Sequence, residues 1–118
     1  MEIAESTILI TGGAGQIGCH LAEGLIQEGA HKIIIFDNLS LDTKKNIEKI
    51  ASHSKVEVFK GDVTKKEDVS AVMKGVDGVF HLASLMTLHS YTNPRSLLEV
   101  NINGTYNVLE ACQQTRVK

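Results

Sequence analysis

The segment Thr11-Gly12-Gly13-Ala14-Gly15-Gln16-Ile17-Gly18 follows the apolar run Ile8-Leu9-Ile10 and opens a helical pattern. Strand, glycines, then helix is the order needed to hold the diphosphate of a dinucleotide. One glycine permits the tight turn, one lets the backbone approach the phosphates, and one lets the helix pack close to the strand. The helix aims its unsatisfied N–H groups and positive end at the anion. An ordinary glycine turn is the bland alternative.

Other candidate residues stand where strand patterns end. Asp37, in Asp37-Asn38-Leu39-Ser40, lies about 20 residues beyond the glycines, where a carboxylate can accept from an adenosine ribose. It would repel the extra phosphate of NADP and so favours NAD, although Lys44 and Lys45 keep NADP as an alternative. Otherwise Asp37 only starts a turn or caps a helix. In Gly61-Asp62-Val63, the Asp62 carboxylate and the Val63 amide match the donor and acceptor on an adenine edge. The other reading is that Asp62 merely ends a strand. In His81-Leu82-Ala83-Ser84, the small residues Ala83 and Ser84 would let the backbone approach a cofactor, while His81 reads as a packed strand residue rather than a base. Cys19, in a first helical turn, is either a thiol of lowered pKa or a small packing group. Asn101 and Gly104 are poor helix formers inside a helical stretch. They suggest backbone groups or waters to hold and a close approach to the sheet.

Composition narrows the class. The 118 residues fit one domain, with 42% hydrophobic and 22% charged residues, as in an ordinary soluble protein. Twelve basic against 14 acidic residues give −2, which points to no nucleic acid and no anionic membrane as partner. No signal segment or membrane-spanning run is visible. Cys19 and Cys112 have no motif spacing, so a reducing cytoplasm is expected, and the five histidines show no metal-ligand pattern.

The elements that must position these residues alternate along the chain. Strands are expected at Thr7–Thr11, Lys32–Asp37, Lys55–Lys60 and Gly78–Leu82. The first two are continuously apolar, as in parallel sheets covered on both faces. Helices are expected at Gln16–Glu28, with Ile17, Leu21, Leu25 and Ile26 inward and Gly29 as terminator, and at Asp42–Ser52. A third would open on a capping box, Thr64-Lys65-Lys66-Glu67, and close at Gly75. The last would run from Asn93-Pro94 to about Thr115, with Leu97, Val100, Gly104, Val108 and Ala111 on one stripe. Leu98, Ile102, Leu109 and Cys112 lie beside it. Four such units with right-handed crossovers predict an α/β, Rossmann-type doubly wound parallel sheet of order 3-2-1-4, truncated after its fourth strand.

In order and spacing, these motifs and Asn101-x-x-Gly104-Thr105-x-Asn107-x-Leu109-Glu110-Ala111 resemble the extended short-chain dehydrogenase/reductases. More narrowly, they resemble the NAD-dependent epimerase/dehydratase family, whose members largely act on nucleotide sugars. The likeness runs from about Ser6 to Cys112. It implies Gly12, Gly15, Gln16, Ile17 and Gly18 on the diphosphate, Asp37, Asn38 and Ser40 on the adenosine ribose, and Asp62 and Val63 on adenine. It places Leu82, Ala83 and Ser84 on the nicotinamide side and gives Asn101 a structural, solvent-ordering role. Gln16 stands where phenylalanine or tyrosine is common, Cys19 where serine is common, and Met86 near a position where sugar 4-epimerases often carry lysine.

The resemblance further implies hydride transfer through a 4-keto sugar, with a tyrosine as proton carrier and a lysine four residues later. This chain has only Tyr91, followed at that spacing by Arg95, and Tyr106, followed by Glu110. Neither is the pair. The expected reading is a cofactor-binding, amino-terminal part of a longer, homodimeric enzyme acting on a nucleotide sugar. The catalytic residues would lie beyond Lys118, and the chain alone would not turn over. A non-catalytic dinucleotide-binding module and an NADP-dependent steroid or flavonoid reductase of the same superfamily are the alternatives.

Overall fold

The computed structural model of the chain describes residues 1–40 and 44–117. Four parallel strands, β1 (Thr7–Thr11), β2 (Lys32–Asp37), β3 (Val56–Lys60) and β4 (Gly78–His81), lie in the order β3-β2-β1-β4. Helices α1 (Gln16–Gln27), α2 (Lys44–Ala51) and α3 (Lys66–Val72) connect them. After β4 come two short helices, α4 (His89–Thr92) and α5 (Pro94–Leu98). A π-helical turn over Glu99–Gly104 leads into α6 (Thr105–Thr115). The expected 3-2-1-4 sheet is the observed one. The Asp42 start expected for the second helix lies outside the described residues.

The continuously apolar strands are buried on both faces because alternate residues feed two cores. Ile8, Ile10, Ile33 and Ile35 pack with Cys19, Ala22 and Leu25 of α1 and Ile50 of α2. Leu9, Ile34 and Phe36 pack on the other face with Val69, Val72 and Met73, and with Val108 and Ala111 of α6. Among the described residues, an ion pair joins the helices of each layer: Lys49–Glu23 at 2.9 Å and Lys66–Glu110 at 2.7 Å.

Three expectations are corrected. Ile17 does not face the core but is 73% exposed, and the inward residues of α1 are Gly18, Cys19, Ala22 and Leu25. The amino-terminal half of the helix sits so close to the sheet that small residues, Gly18, Cys19 and Ala22, make the contact there. No capping box opens α3: its N-cap is Lys65, without a side-chain bond. The Thr64 hydroxyl instead donates to Asp62 Oδ1 at 2.8 Å. The final helix starts at Asn93-Pro94 as expected, with Asn93 accepting from the Ser96 amide at 3.1 Å, but its middle widens into the π-turn. A π-turn inserts an extra residue per turn; its last residue, Gly104, is buried, as are Val108 and Ala111 after it.

Gly18 isolates the close approach of α1. A Cβ there would lie 2.6 Å from Gly13 Cα. Helix propensity alone would make Gly18→Ala stabilising by about 1 kcal/mol. The packing reverses the sign, and the variant should lose about 1–3 kcal/mol in urea unfolding. An unchanged or higher midpoint would contradict this.

Candidate dinucleotide site

The carboxyl ends of β1, β2 and β4 and the loop after β3 surround one elongated crevice. One cavity of about 190 Å³ is lined by Asp37, Asn38, Ser40, Gly61, Asp62 and Val63, among others. A wider cavity of about 740 Å³ runs over Gln16, Ile17, Gly18 and Asn101. Gly12, Gly15, Leu82, Ala83 and Ser84 line both, so the two are continuous. Every cofactor-binding residue expected from the sequence therefore borders the same space.

The glycines are bare for different reasons. Gly12 has φ +66°, and a Cβ on it would lie 2.7 Å from the Ala83 amide nitrogen. At Gly13 the obstacle is the Ile10 carbonyl oxygen at 2.8 Å. At Gly15 a Cβ would touch only the Gly12 oxygen, at 3.3 Å. Protein packing accounts for Gly12, Gly13 and Gly18, whereas the missing side chain of Gly15 keeps the crevice open. Gly15 is also the N-cap of α1, and no side chain caps that helix. First-turn N–H groups have no intrahelical acceptor, so those of α1 remain available to an anion.

Asp37 does more than border the cavity. Its Oδ2 accepts from the Ala14 amide at 3.1 Å and its Oδ1 from the Leu39 amide at 2.8 Å. The carboxylate thus braces the glycine turn against the loop after β2 and keeps further lone pairs for a ligand. The Gly12 amide adds a bond to the Phe36 carbonyl at 2.8 Å. Asn38 Oδ1 accepts from the Ser40 amide at 3.0 Å, closing a small turn. Lys45 does not line the crevice but an adjoining hollow with His20 and Lys49, which shares Gln16 with it.

The loop after β3 is built around Asp62, whose Oδ1 accepts from the Thr64 amide at 2.9 Å while its own amide donates to Asp68 Oδ2 at 3.0 Å. Turn residue and cavity residue are both correct descriptions of Asp62. The Val63 carbonyl accepts from Asn107 Nδ2 at 2.9 Å. Gly61 was legible only as part of a motif. In space, a Cβ there would lie 2.4 Å from the Phe36 ring.

Asn101 grips the loop after β4 with both ends of its amide. Its Oδ1 accepts from the Leu85 amide at 2.8 Å and its Nδ2 donates to the Leu85 carbonyl at 2.9 Å. The expected backbone-holding role matches this geometry. Gly104 approaches the loop after β3 rather than a strand, its Cβ position lying 2.7 Å from Val63 Cγ2. Cys19 is not an activated thiol. It is 6% exposed, and burial first, then the carboxylates of Glu23 and Asp37, push its pKa up. Tyr91 and Tyr106 are 84% and 63% exposed, and neither borders the crevice.

The sequence pattern of the 3-beta hydroxysteroid dehydrogenase/isomerase family matches residues 9–118. The chain belongs to this family. UDP-glucuronic acid decarboxylase 6 of Arabidopsis thaliana is 37% identical over 103 residues, covering 86% of this chain and 29% of that protein. The 3 beta-hydroxysteroid dehydrogenase type 7 of Mus musculus is 34% identical over 117 residues, covering 97% and 31%. The crystal structure of the Bordetella bronchiseptica enzyme WbmF in complex with NAD+ superposes with a TM-score of 0.87 at 26% identity, covering 100% of this chain and 36% of that one. The extended dehydrogenase/reductase likeness read from the motifs is borne out. The chain spans about three tenths of the length of these curated relatives.

Asp37→Ala removes the acceptor of two backbone amides. It should cost about 1–3 kcal/mol and speed hydrogen exchange at Ala14 and Leu39. Unaltered exchange at both positions would show that the brace is idle.

Proposed function

We propose that this chain binds NAD as the cofactor-holding part of an enzyme that moves a hydride to and from a secondary alcohol of its substrate. The observation that carries this is the single crevice in which a bare Gly15 and an uncapped helix start stand beside a carboxylate at the end of β2. Gly12, Gly15, Gln16, Ile17 and Gly18 would surround the diphosphate, the glycines by leaving room for it and the first turn of α1 by donating its free backbone N–H groups. Asp37, with Asn38 and Ser40, would take the adenosine ribose, and Asp62 and Val63 the adenine edge. Leu82, Ala83 and Ser84 would flank the nicotinamide, with Asn101 fixing their loop through Leu85. Bound NAD supplies the hydride acceptor.

For the whole enzyme we favour a nucleotide-sugar epimerase or dehydratase, on the strength of relatives named as UDP-glucuronic acid decarboxylase and CDP-paratose 2-epimerase. A steroid alcohol is the second reading, supported by the family description and the type 7 relative. Asp37 separates the cofactors: its charge opposes the extra phosphate of NADP. The exposed Leu98, Ile102, Tyr106 and Leu109 on the final helix suit pairing with a second copy in the full enzyme. No helix among the described residues is long and apolar enough to cross a membrane, in keeping with a cytoplasmic enzyme.

Calorimetric titration tests the proposal. The chain should bind NAD more tightly than NADP, and Asp37→Ala should narrow that preference. Gly15→Val should abolish binding while the protein remains folded by circular dichroism, because its side chain would occupy the phosphate space. Tighter NADP binding by the unmutated chain, or NAD binding that survives Gly15→Val, would overturn the assignment. With no Tyr-x-x-x-Lys in its sequence, the 118-residue chain should show no turnover of UDP-sugars, and any activity in material of verified mass would contradict that.

A further inference from the structure

Thr11 and His81 lie where β1, β4 and the final helix meet, and the dinucleotide reading leaves their side chains without a task. Thr11 is 1% exposed. Its Oγ1 is 2.6 Å from His81 Nδ1, and His81 Nε2 is 2.9 Å from Thr105 Oγ1.

Counting donors fixes the direction of each bond. Thr105 Oγ1 donates its one hydrogen to the Asn101 carbonyl at 2.8 Å. It can therefore only accept from His81, so Nε2 carries a hydrogen. Thr11 Oγ1 accepts from the Leu82 and Ala83 amides at 3.2 and 3.3 Å. The Leu82 amide also donates to the Thr11 carbonyl at 3.0 Å, so Oγ1 is its second acceptor, and the hydrogen of the Thr11 hydroxyl goes to Nδ1. A neutral imidazole protonated at Nε2 alone satisfies every atom. A second hydrogen, on Nδ1, would meet the hydrogen that Thr11 donates, and the hydroxyl would have to turn away from the ring.

The chain of bonds joins the parts of the crevice that the sequence separates most widely. Thr11 immediately precedes the glycine turn, Leu82 and Ala83 border the cavity, and Thr105 follows the π-turn whose Asn101 grips Leu85. We propose that His81 is a positioning residue. In its neutral, Nε2-protonated form it ties the glycine turn to the π-turn and holds residues 82–85 in place for a dinucleotide, and protonation opens the tie. The effect on affinity rests on the dinucleotide reading of the crevice.

Among the described residues, no charged side chain acts on the ring. β1 carries no titratable group and β4 none but His81. On α1, Cys19 donates to the Gly13 carbonyl, and His20 bonds the Gln16 carbonyl. On the final helix, Glu99 accepts from Asn103 and Glu110 pairs with Lys66. Burial alone lowers the imidazole pKa from its ordinary 6.5. With the folded value depressed, the stabilisation is complete above about 6.5 and is lost as pH falls through the folded value.

The test is nitrogen-15 NMR of the histidine rings together with NAD titration of the 118-residue chain between about pH 5 and about pH 8. His81 should be the Nε2–H tautomer at neutral pH with or without ligand, and the Kd for NAD should rise about fivefold as the ring protonates. His81→Gln should remove that acid limb. Thr105→Val should weaken binding at neutral pH, and Thr105→Ser should restore it. These two variants decide the matter if His81→Gln does not fold. An Nδ1–H tautomer, a wild-type affinity indifferent to pH, an acid limb that persists in His81→Gln, or full affinity in Thr105→Val would overturn the proposal. Absence of NAD binding at every pH would count against the dinucleotide reading, while the ring tautomer would still decide whether the tie exists.

Discussion

Contact of backbone with backbone at the end of β1 is the constraint on which the rest of the structure depends. Gly12 sits against the Leu82–Ala83 peptide, and Gly18 of α1 against Gly13. None of these contacts leaves room for a methyl group. They bring the start of α1 to the mouth of the sheet and set β4 beside β1. The crevice is the space left between those two approaches. Hydrophobic burial on both faces supplies the general stability, but it would tolerate a looser turn. The glycines set the shape.

Polar ties then lock the pieces that border the crevice. Asp37 reaches back to Ala14, Asn101 reaches across to Leu85, and Asn107 holds the Val63 carbonyl. Each spans residues far apart in sequence, and each leaves the neighbouring backbone fixed before any ligand arrives. Preorganised donors of this kind reduce the ordering cost of binding. The π-turn belongs to the same design. It brings Asn101 onto Leu85 and Gly104 onto Val63 within one helix.

Much of this was legible in the chain itself because its signals are local. Ile8-Leu9-Ile10 and Ile33-Ile34-Ile35-Phe36 read as two-sided strands, and their ends coincide with the observed ones. The glycine spacing and the place of Asp37 located the crevice. What escaped depends on contacts across the fold. Ile17 looked inward by helical periodicity, yet along the first turns of α1 the sheet accepts only small residues. Thr64 matched a capping box, but Asp62 competes for its hydroxyl. The π-turn cannot be read from Glu99–Gly104, since the partners that hold it lie in the loops after β3 and β4. His81 and Thr105 are 24 residues apart, and neither type signals the other.

Family membership and crevice geometry converge on one claim, that the backbone between Gly12 and Gly18 receives a diphosphate. Amide chemical shifts of the nitrogen-15-labelled chain, followed while NAD is added, test this residue by residue. The account predicts saturable shifts that are largest at Gly15, Gln16 and Ile17 and extend to Asp37 and Ala83. A spectrum unmoved at those positions by millimolar NAD and NADP alike would contradict it.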